Sequence, residues 1–168
     1  LNGVIMVSPA DYKVLRVGGP VSSALNLPYY TAAAWYHKQL PSELQIKDLT
    51  DILPEAEKFA IDELTPALIR GGFLSPEEKQ KIAKQMAFYS GLSEEVILQH
   101  NLDVPNSFFW KELLRDEGKT IGRLDSRYTG IDKMEAGMRP DYSPELTSWL
   151  HSFTPAINHY IRKELNFK

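Results

Sequence analysis

Apolar and polar positions recur with the period of an α-helix over most of the chain after residue 40. In the segment 41–70, apolar residues fall every three or four positions and share one helical face. These residues are Ile52, Ala56, Phe59, Ala60 and Leu64. Pro54 and Pro66 lie inside the segment, so we expect a kink or break at one or both. Gly71-Gly72 predicts the end of this helix.

Later helices are marked by clear start and stop signals. Ser75 stands before Pro76 and three residues before Glu78, which is the pattern of a capping box, and this helix is expected to end at Gly91. A short helix follows Ser93, and another covers "SFFWKELLRDE" and ends at Gly118. The serines that precede predicted helices, Ser42, Ser75, Ser93 and Ser143, are therefore interpreted as caps.

The last predicted helix begins at Ser143-Pro144 and has the clearest amphipathic pattern in the chain. Its apolar face consists of Leu146, Trp149, Leu150, Phe153, Ile157, Tyr160 and Ile161. Pro155 lies within this helix, so the pattern predicts a kink there.

Two segments have strand character. Residues 1–10, "LNGVIMVSPA", are apolar and rich in β-branched residues, which predicts one buried strand. Residues 119–132, "KTIGRLDSRYTGID", have no helical period and predict a short extended segment or hairpin. The expected fold is mainly α, with a helical domain over residues 11–168. A single buried strand before a helical chain also leads us to expect a cut through a larger protein.

The stretch "PYYTAAAWYH", residues 28–37, places Tyr29, Tyr30, Trp35 and Tyr36 around three consecutive alanines. Alanines allow close helix packing, and aromatic side chains provide wide, rigid contact surfaces. The pattern is compatible with a core helix, the wall of a substrate pocket or a contact surface for a partner, and spacing alone does not separate these interpretations.

Composition narrows the function classes. The chain has 168 residues, 43% hydrophobic and 24% charged, with a formal net charge of −3. This charge and the lack of a long basic run argue against a nucleic-acid partner. No stretch reaches the roughly 20 apolar residues of a membrane span. Cysteine is absent, which excludes disulfides, thiol catalysis and thiolate metal sites.

Motifs for catalysis or metal binding are missing from the sequence. No G-x-S-x-G nucleophile elbow occurs. His151 and His159 are eight residues apart, too far for an i, i+4 metal pair, and no H-E-x-x-H is present. His37 and His100 follow predicted helices, where a cationic imidazole is favourable. We therefore expect no catalytic residue, metal or cofactor in this chain.

The segment "GRLDSRY" contains a polar constellation. Arg123, Asp125 and Arg127 alternate, so an extended strand would place all three on one face. Two guanidinium groups around one carboxylate form either a structural ion-pair cluster or a site in which one arginine is free for a substrate carboxylate.

Several segments together resemble bacterial serine carboxypeptidase-type proteins, relatives of carboxypeptidase Y and cathepsin A. They are "LNGVIMVSP", "LPYYTAAAWYHKQLP", "GLSEEVILQHNLDVP", "FWKELLRDEGKTIGRLDSRYTGID" and "SFTPAINHYIRKELNF". The resemblance covers nearly the whole chain, with its segments in the family's order. It implies an α/β hydrolase whose helical cap, or lid, is this chain, with residues 1–10 as a strand of the catalytic core. The family's serine, aspartate and histidine fall outside the matching segments.

The resemblance implies a secreted or periplasmic bacterial protein that releases C-terminal residues from peptides, with this chain shaping substrate access. Candidate residues at the substrate rim are Tyr29, Tyr30, Trp35, Arg123, Asp125 and Arg127. The chain alone is expected to be inactive and to self-associate as a homodimer through residues 1–10 or the aromatic helix. Alternatives are a freestanding helical interaction module, or the cap of an esterase or acyltransferase.

Overall fold

The computed structural model of the protein describes residues 19–167. The strand expected over residues 1–10 lies outside these residues. The described chain groups into two compact units, which we call the helical unit (residues 19–35 and 40–105) and the hairpin unit (residues 36–39 and 106–167). The sequence pattern indicated no boundary within residues 11–168. The prediction of a mainly helical fold is confirmed for the described residues.

The helical unit is built from seven α-helices of four to fifteen residues. They are α1 (Pro20–Leu25), α2 (Leu27–Tyr36), α3 (Ser42–Gln45), α4 (Leu49–Phe59), α5 (Thr65–Arg70), α6 (Pro76–Ser90) and α7 (Glu94–Gln99). Helix α1 packs against α5, and α6 packs against α7. Helix α2 ends at Tyr36, which is the first residue of the hairpin unit.

Helices α4 and α5 are continuous, so neither Pro54 nor Pro66 breaks the helix, and the alternative of a kink stays a prediction. A π-helical segment, Ala60–Leu64, joins them. Pro66 has no N–H to bond the carbonyl four residues earlier. The preceding Thr65 N–H instead bonds to the carbonyl of Ala60, five residues back, and the Thr65 hydroxyl donates to the same oxygen at 2.8 Å. The helix then ends at Gly71, whose φ of +51° favours glycine, as predicted.

Helix α2 is a core helix of its unit. Its buried side chains are Leu27, Tyr30, Thr31, Ala33 and Ala34. The Tyr30 hydroxyl is fully buried and donates to the carbonyl oxygen of Val104 at 2.9 Å. Burial raises the pKa of this hydroxyl well above its usual value. The small alanines thus allow close packing around one large buried ring.

The predicted serine caps are confirmed at two of four positions. Ser75 and Glu78 form the expected capping box, and the Ser93 hydroxyl accepts from Val96 N at 3.2 Å. The prediction for Ser42 is wrong, because Pro41 occupies the N-cap position and Ser42 is the first residue of α3. Ser143 stands at the N-cap of the last helix, but its side chain makes no capping hydrogen bond.

The hairpin unit contains α8 (Asn106–Glu112), a 3₁₀ turn (Arg115–Glu117), two short strands and α9 (Pro144–His159). Strands β1 (Thr120–Ile121) and β2 (Thr129–Gly130) are antiparallel, with Thr120 opposite Gly130. The hairpin predicted within residues 119–132 is therefore confirmed. Helix α9 continues through Pro155 to His159 and then widens into a π-helical turn, Tyr160–Glu164. No helix of residues 19–167 has the length and apolarity needed to cross a membrane.

Candidate functional site

The loop between β1 and β2 determines where the predicted arginines lie. Residues 122–128 form bends and turns rather than an extended strand, so the expectation that Arg123, Asp125 and Arg127 share one strand face is wrong. Asp125 and Arg127 form a two-pronged ion pair, with Arg127 Nε 2.9 Å from Oδ1 and Nη2 2.7 Å from Oδ2 of the carboxylate. Arg123 takes no part in this pair.

The Asp125 carboxylate also organises the backbone of the loop. It accepts a hydrogen bond from Arg127 N at 3.1 Å, which closes a local turn. The Arg127 guanidinium, followed by this backbone hydrogen bond, lowers the pKa of the Asp125 carboxyl to about 2. The Ser126 hydroxyl donates to the carbonyl of Gly122 at 2.9 Å, and Nε2 of His37 lies 2.6 Å from the carbonyl oxygen of Ser126. The loop is therefore held at several points by polar contacts.

A buried glutamate joins the loop to the start of α9. Glu145 is fully buried and accepts from Leu124 N at 2.8 Å through Oε1. Its Oε2 is buried without a hydrogen-bond partner among the described residues. A Cβ atom on Gly122 would stand 2.3 Å from that oxygen, so only glycine allows the loop to approach the carboxylate this closely.

A second polar cluster holds the segment before α9. Lys111 forms an ion pair with Asp132 at 2.5 Å, and the two side chains are 4% and 6% exposed. The other carboxylate oxygen of Asp132 accepts from Asp141 N at 3.0 Å. Asp141 in turn accepts from Met134 N at 3.1 Å, and the Tyr142 hydroxyl accepts from Ile131 N at 3.1 Å. These contacts fix the path of a segment that has no regular secondary structure.

The two loops of the hairpin unit border a cavity of about 550 Å³, which we call the arginine cavity. Arg123 comes from the β1–β2 loop, and Arg139 comes from the segment before α9. Among residues 19–167, neither guanidinium has an ion-pair or hydrogen-bond partner. The remaining lining includes Ser107, Trp110, Ile121, Asp141, Tyr142 and Ser143. The cavity thus combines free positive charge with aromatic surface and hydroxyl groups.

The aromatic rim candidates lie in the helical unit. Tyr30 is a core residue, and Tyr29 is half-buried with its ring centroid 5.7 Å from that of Tyr30. Trp35 is half-buried and donates through Nε1 to the carbonyl of Lys47 at 3.2 Å. Tyr30 is therefore part of the core, whereas Tyr29 and Trp35 remain partly exposed, and their place at a substrate rim stays a prediction.

Sequence reasoning missed Arg139 and the other residues of the segment before α9. Arg139 lies in "GMRPDYSP", which has neither a helical nor a strand period. The only local signal is the pair of prolines, Pro140 and Pro144, which indicates a rigid irregular segment. The sequence predicts a cap at Ser143. In the structure its hydroxyl makes no capping hydrogen bond, and the residue lines the arginine cavity.

Helix α9 presents an open apolar face. Leu150, Phe153, Ile157 and Tyr160 are 56%, 60%, 52% and 49% exposed and line a shallow groove. These four residues, which we call the α9 face, belong to the amphipathic stripe that the sequence predicted. Only the start of the helix is buried, at Pro144 and Glu145.

Comparison of the chain with protein-family models, with curated proteins and with solved structures found no significant match. Within residues 19–167, no group of three or more histidine, aspartate or glutamate side chains is arranged to hold a metal ion.

Proposed function

We propose that this chain is the helical cap region of a secreted or periplasmic serine carboxypeptidase-type hydrolase, and that it shapes the access of peptide C-termini to the catalytic centre. The observation that carries this proposal is the open α9 face. An amphipathic helix normally turns its apolar side toward a core. Here Leu150, Phe153, Ile157 and Tyr160 are about half exposed or more, which calls for a further apolar surface to cover them.

The size of this surface makes a permanent partner reasonable. Covering roughly 300 Å² of apolar area, at about 25 cal/mol per Å², would contribute about 7.5 kcal/mol before association costs. The catalytic domain of an α/β hydrolase would provide such a surface within the same polypeptide. The sequence segments that resemble the carboxypeptidases, together with the mainly helical architecture, support the same assignment.

In this proposal the chemistry belongs to residues outside the chain. A serine attacks the C-terminal peptide bond, a histidine transfers the proton to the leaving amine, and an oxyanion hole stabilises the intermediate. Water then releases the acyl group. The cap contributes substrate shape and exclusion of water from the reacting groups.

A second function fits the same α9 face, namely a freestanding helical module that binds an amphipathic segment of a partner protein. The two functions differ in what surrounds these residues in the coding sequence. The cap proposal requires a G-x-S-x-G elbow before Leu1, and an aspartate and a histidine of the triad after Lys168. The module does not require them.

The test has two parts. The flanking coding sequence is read first, and the intact polypeptide is then assayed with N-blocked dipeptides such as benzyloxycarbonyl-Phe-Leu. We expect the elbow, release of free leucine and loss of this activity with a serine-directed phosphonate. The 168-residue chain alone should give only background rates. A flanking sequence without an elbow would overturn the proposal, as would an intact protein that cleaves p-nitrophenyl esters but no peptide.

A further inference from the structure

The arginines of residues 19–167 differ in how their charge is balanced. Arg70 pairs with Glu78, Arg115 with Glu112, and Arg127 with Asp125. Arg123, Arg139 and Arg162 have no such partner among the described residues, and of these three Arg123 and Arg139 come from separate loops and line one cavity. A guanidinium group presents a planar fork of donors that matches a carboxylate. Two of them at one cavity form a suitable cradle for an anion.

The rest of the lining indicates what else such a ligand carries. Trp110, Ile121 and Tyr142 supply apolar and aromatic surface, while Ser107 and Ser143 supply hydroxyl groups. The volume of about 550 Å³ exceeds what a small inorganic ion needs and falls within the usual range of sites for organic molecules. The lining therefore suits an anion attached to an apolar group.

The charge of the lining favours a single negative charge on the ligand. Asp141 also borders the cavity, and its carboxylate accepts a hydrogen bond from Met134 N. The two guanidinium groups and the Asp141 carboxylate give the lining a net charge of one positive unit, which the carboxylate of a ligand would balance. A phosphate dianion would exceed this charge and would be repelled by Asp141.

We propose that the arginine cavity binds an organic carboxylate, with the carboxylate between Arg123 and Arg139 and its apolar group against Trp110, Ile121 and Tyr142. The site is defined by the hairpin unit alone and does not depend on the proposed function. If the chain is a carboxypeptidase cap, the ligand is the C-terminal end of a peptide. If it is not, the chemistry of the ligand is unchanged.

The experiment measures binding of N-acetyl-phenylalanine to the 168-residue chain by calorimetry or NMR titration. N-acetyl-phenylalaninamide tests the carboxylate, because it has the same ring without the charge. Phenyl phosphate tests the choice between carboxylate and phosphate. Arg123→Gln and Arg139→Gln remove one guanidinium each, and Arg162→Gln removes the same charge outside the cavity lining. Far-UV circular dichroism establishes that each variant is folded.

We expect binding of the acid, at least tenfold weaker binding of the amide and of phenyl phosphate, and about tenfold weaker binding of the acid by each cavity variant. The Arg162→Gln variant should bind like the original chain. Equal binding of acid and amide would overturn the inference, as would tighter binding of phenyl phosphate. Equal losses in all three arginine variants would also overturn it. A coding sequence without a nucleophile elbow would leave the inference standing, so the two proposals fail separately.

Discussion

The helical unit and the hairpin unit bury different kinds of side chain. In the helical unit, ion pairs such as Lys47–Glu55 and Arg70–Glu78 lie at the surface, with side chains 42–48% exposed. Among the described residues, the buried charged side chains are Lys111, Asp132 and Glu145, and all three belong to the hairpin unit. Apolar periodicity therefore specifies the first unit, whereas polar contacts over longer distances along the sequence specify much of the second.

This difference follows from the amount of regular structure in each unit. Strands β1 and β2 have two residues each, so their ladder supplies few backbone hydrogen bonds. The long segments on either side of β2 must find other partners, because buried backbone groups are costly when unpaired. The side chains of Lys111, Asp132 and Glu145 provide such partners, since Lys111 donates to a backbone carbonyl and the two carboxylates accept from backbone N–H groups. The comparison predicts that single polar substitutions will affect the hairpin unit most strongly.

The largest effect is expected for Lys111→Met. The change leaves the Asp132 carboxylate buried without its cation, which should lower the free energy of unfolding by about 3–5 kcal/mol. Urea denaturation measures the loss, and amide hydrogen exchange should assign it to the hairpin unit. Lys81→Met is the matched control, because Lys81 is 79% exposed and 3.6 Å from Glu63. Equal losses in both variants would contradict the contrast between the units.

A smaller loss is expected for Gly122→Ala. The new Cβ would lie 2.3 Å from Oε2 of Glu145 and 2.5 Å from the backbone oxygen of Asp125, so the loop must shift. Forcing extra bulk into a packed site costs about 1–3 kcal/mol.

Gly72→Ala is the control for this change, because a Cβ at Gly72 meets nothing within 4 Å. Thermal unfolding of both variants should show a lowered midpoint only for Gly122→Ala. A Gly122→Ala variant as stable as the original chain would mean that Glu145 is not held against the loop.

In the helical unit, we expect the capping box to contribute about 1 kcal/mol. Ser75→Ala removes the acceptor for Glu78 N and should lower the free energy of unfolding by this amount. Ser42→Ala is the matched control, because Ser42 is the first residue of α3 and does not occupy the N-cap position. Chemical denaturation that shows the same change for both serines would contradict the distinction between them.

The smallest effect concerns the titration of Asp125. Its carboxyl has a pKa of about 2, chiefly because Arg127 donates hydrogen bonds to the ionised form. Its stabilising contribution is therefore present above the ordinary pKa of an aspartate and is lost as the pH falls through about 2. A carboxyl ¹³C titration by NMR should give this low midpoint. In Arg127→Gln the midpoint should move up toward the ordinary value, and an unchanged midpoint would show that the ion pair is absent in solution.

The sequence predicted the helical unit well because its signals are local. The capping box at Ser75, the stop at Gly91 with φ of +72° and the cap at Ser93 each depend on residues within four positions of one another. Such patterns can be read directly, since the contacts they form are fixed by helix geometry. Pro54 and Pro66 are also evident in the sequence, but no local pattern predicts the π-helical turn that accommodates Pro66.

The arginine cavity could be predicted only in part. Arg123 was singled out by its alternation with Asp125 and Arg127, although the loop geometry differs from the expected strand. Arg139 was not found, because its approach to the cavity depends on the distant contacts Lys111–Asp132 and Tyr142–Ile131. Pairings over such separations leave no periodic trace in one sequence. The glycines predicted the hairpin, but they did not predict the conformation of the loop that places Arg123 at the cavity.

The π-helical turn at Ala60–Leu64 has an evolutionary consequence. The hydrogen bonds there join residues five positions apart rather than four, so the segment contains one residue more than an α-helical connection between the same two halves. Deleting a single residue in it, together with Pro66→Ala, would convert the turn to ordinary α-helix. Ala56 before the turn and Ala67 after it would still face the same core. This helix can therefore change its length by one residue without reorienting either half, which ordinary helices cannot do.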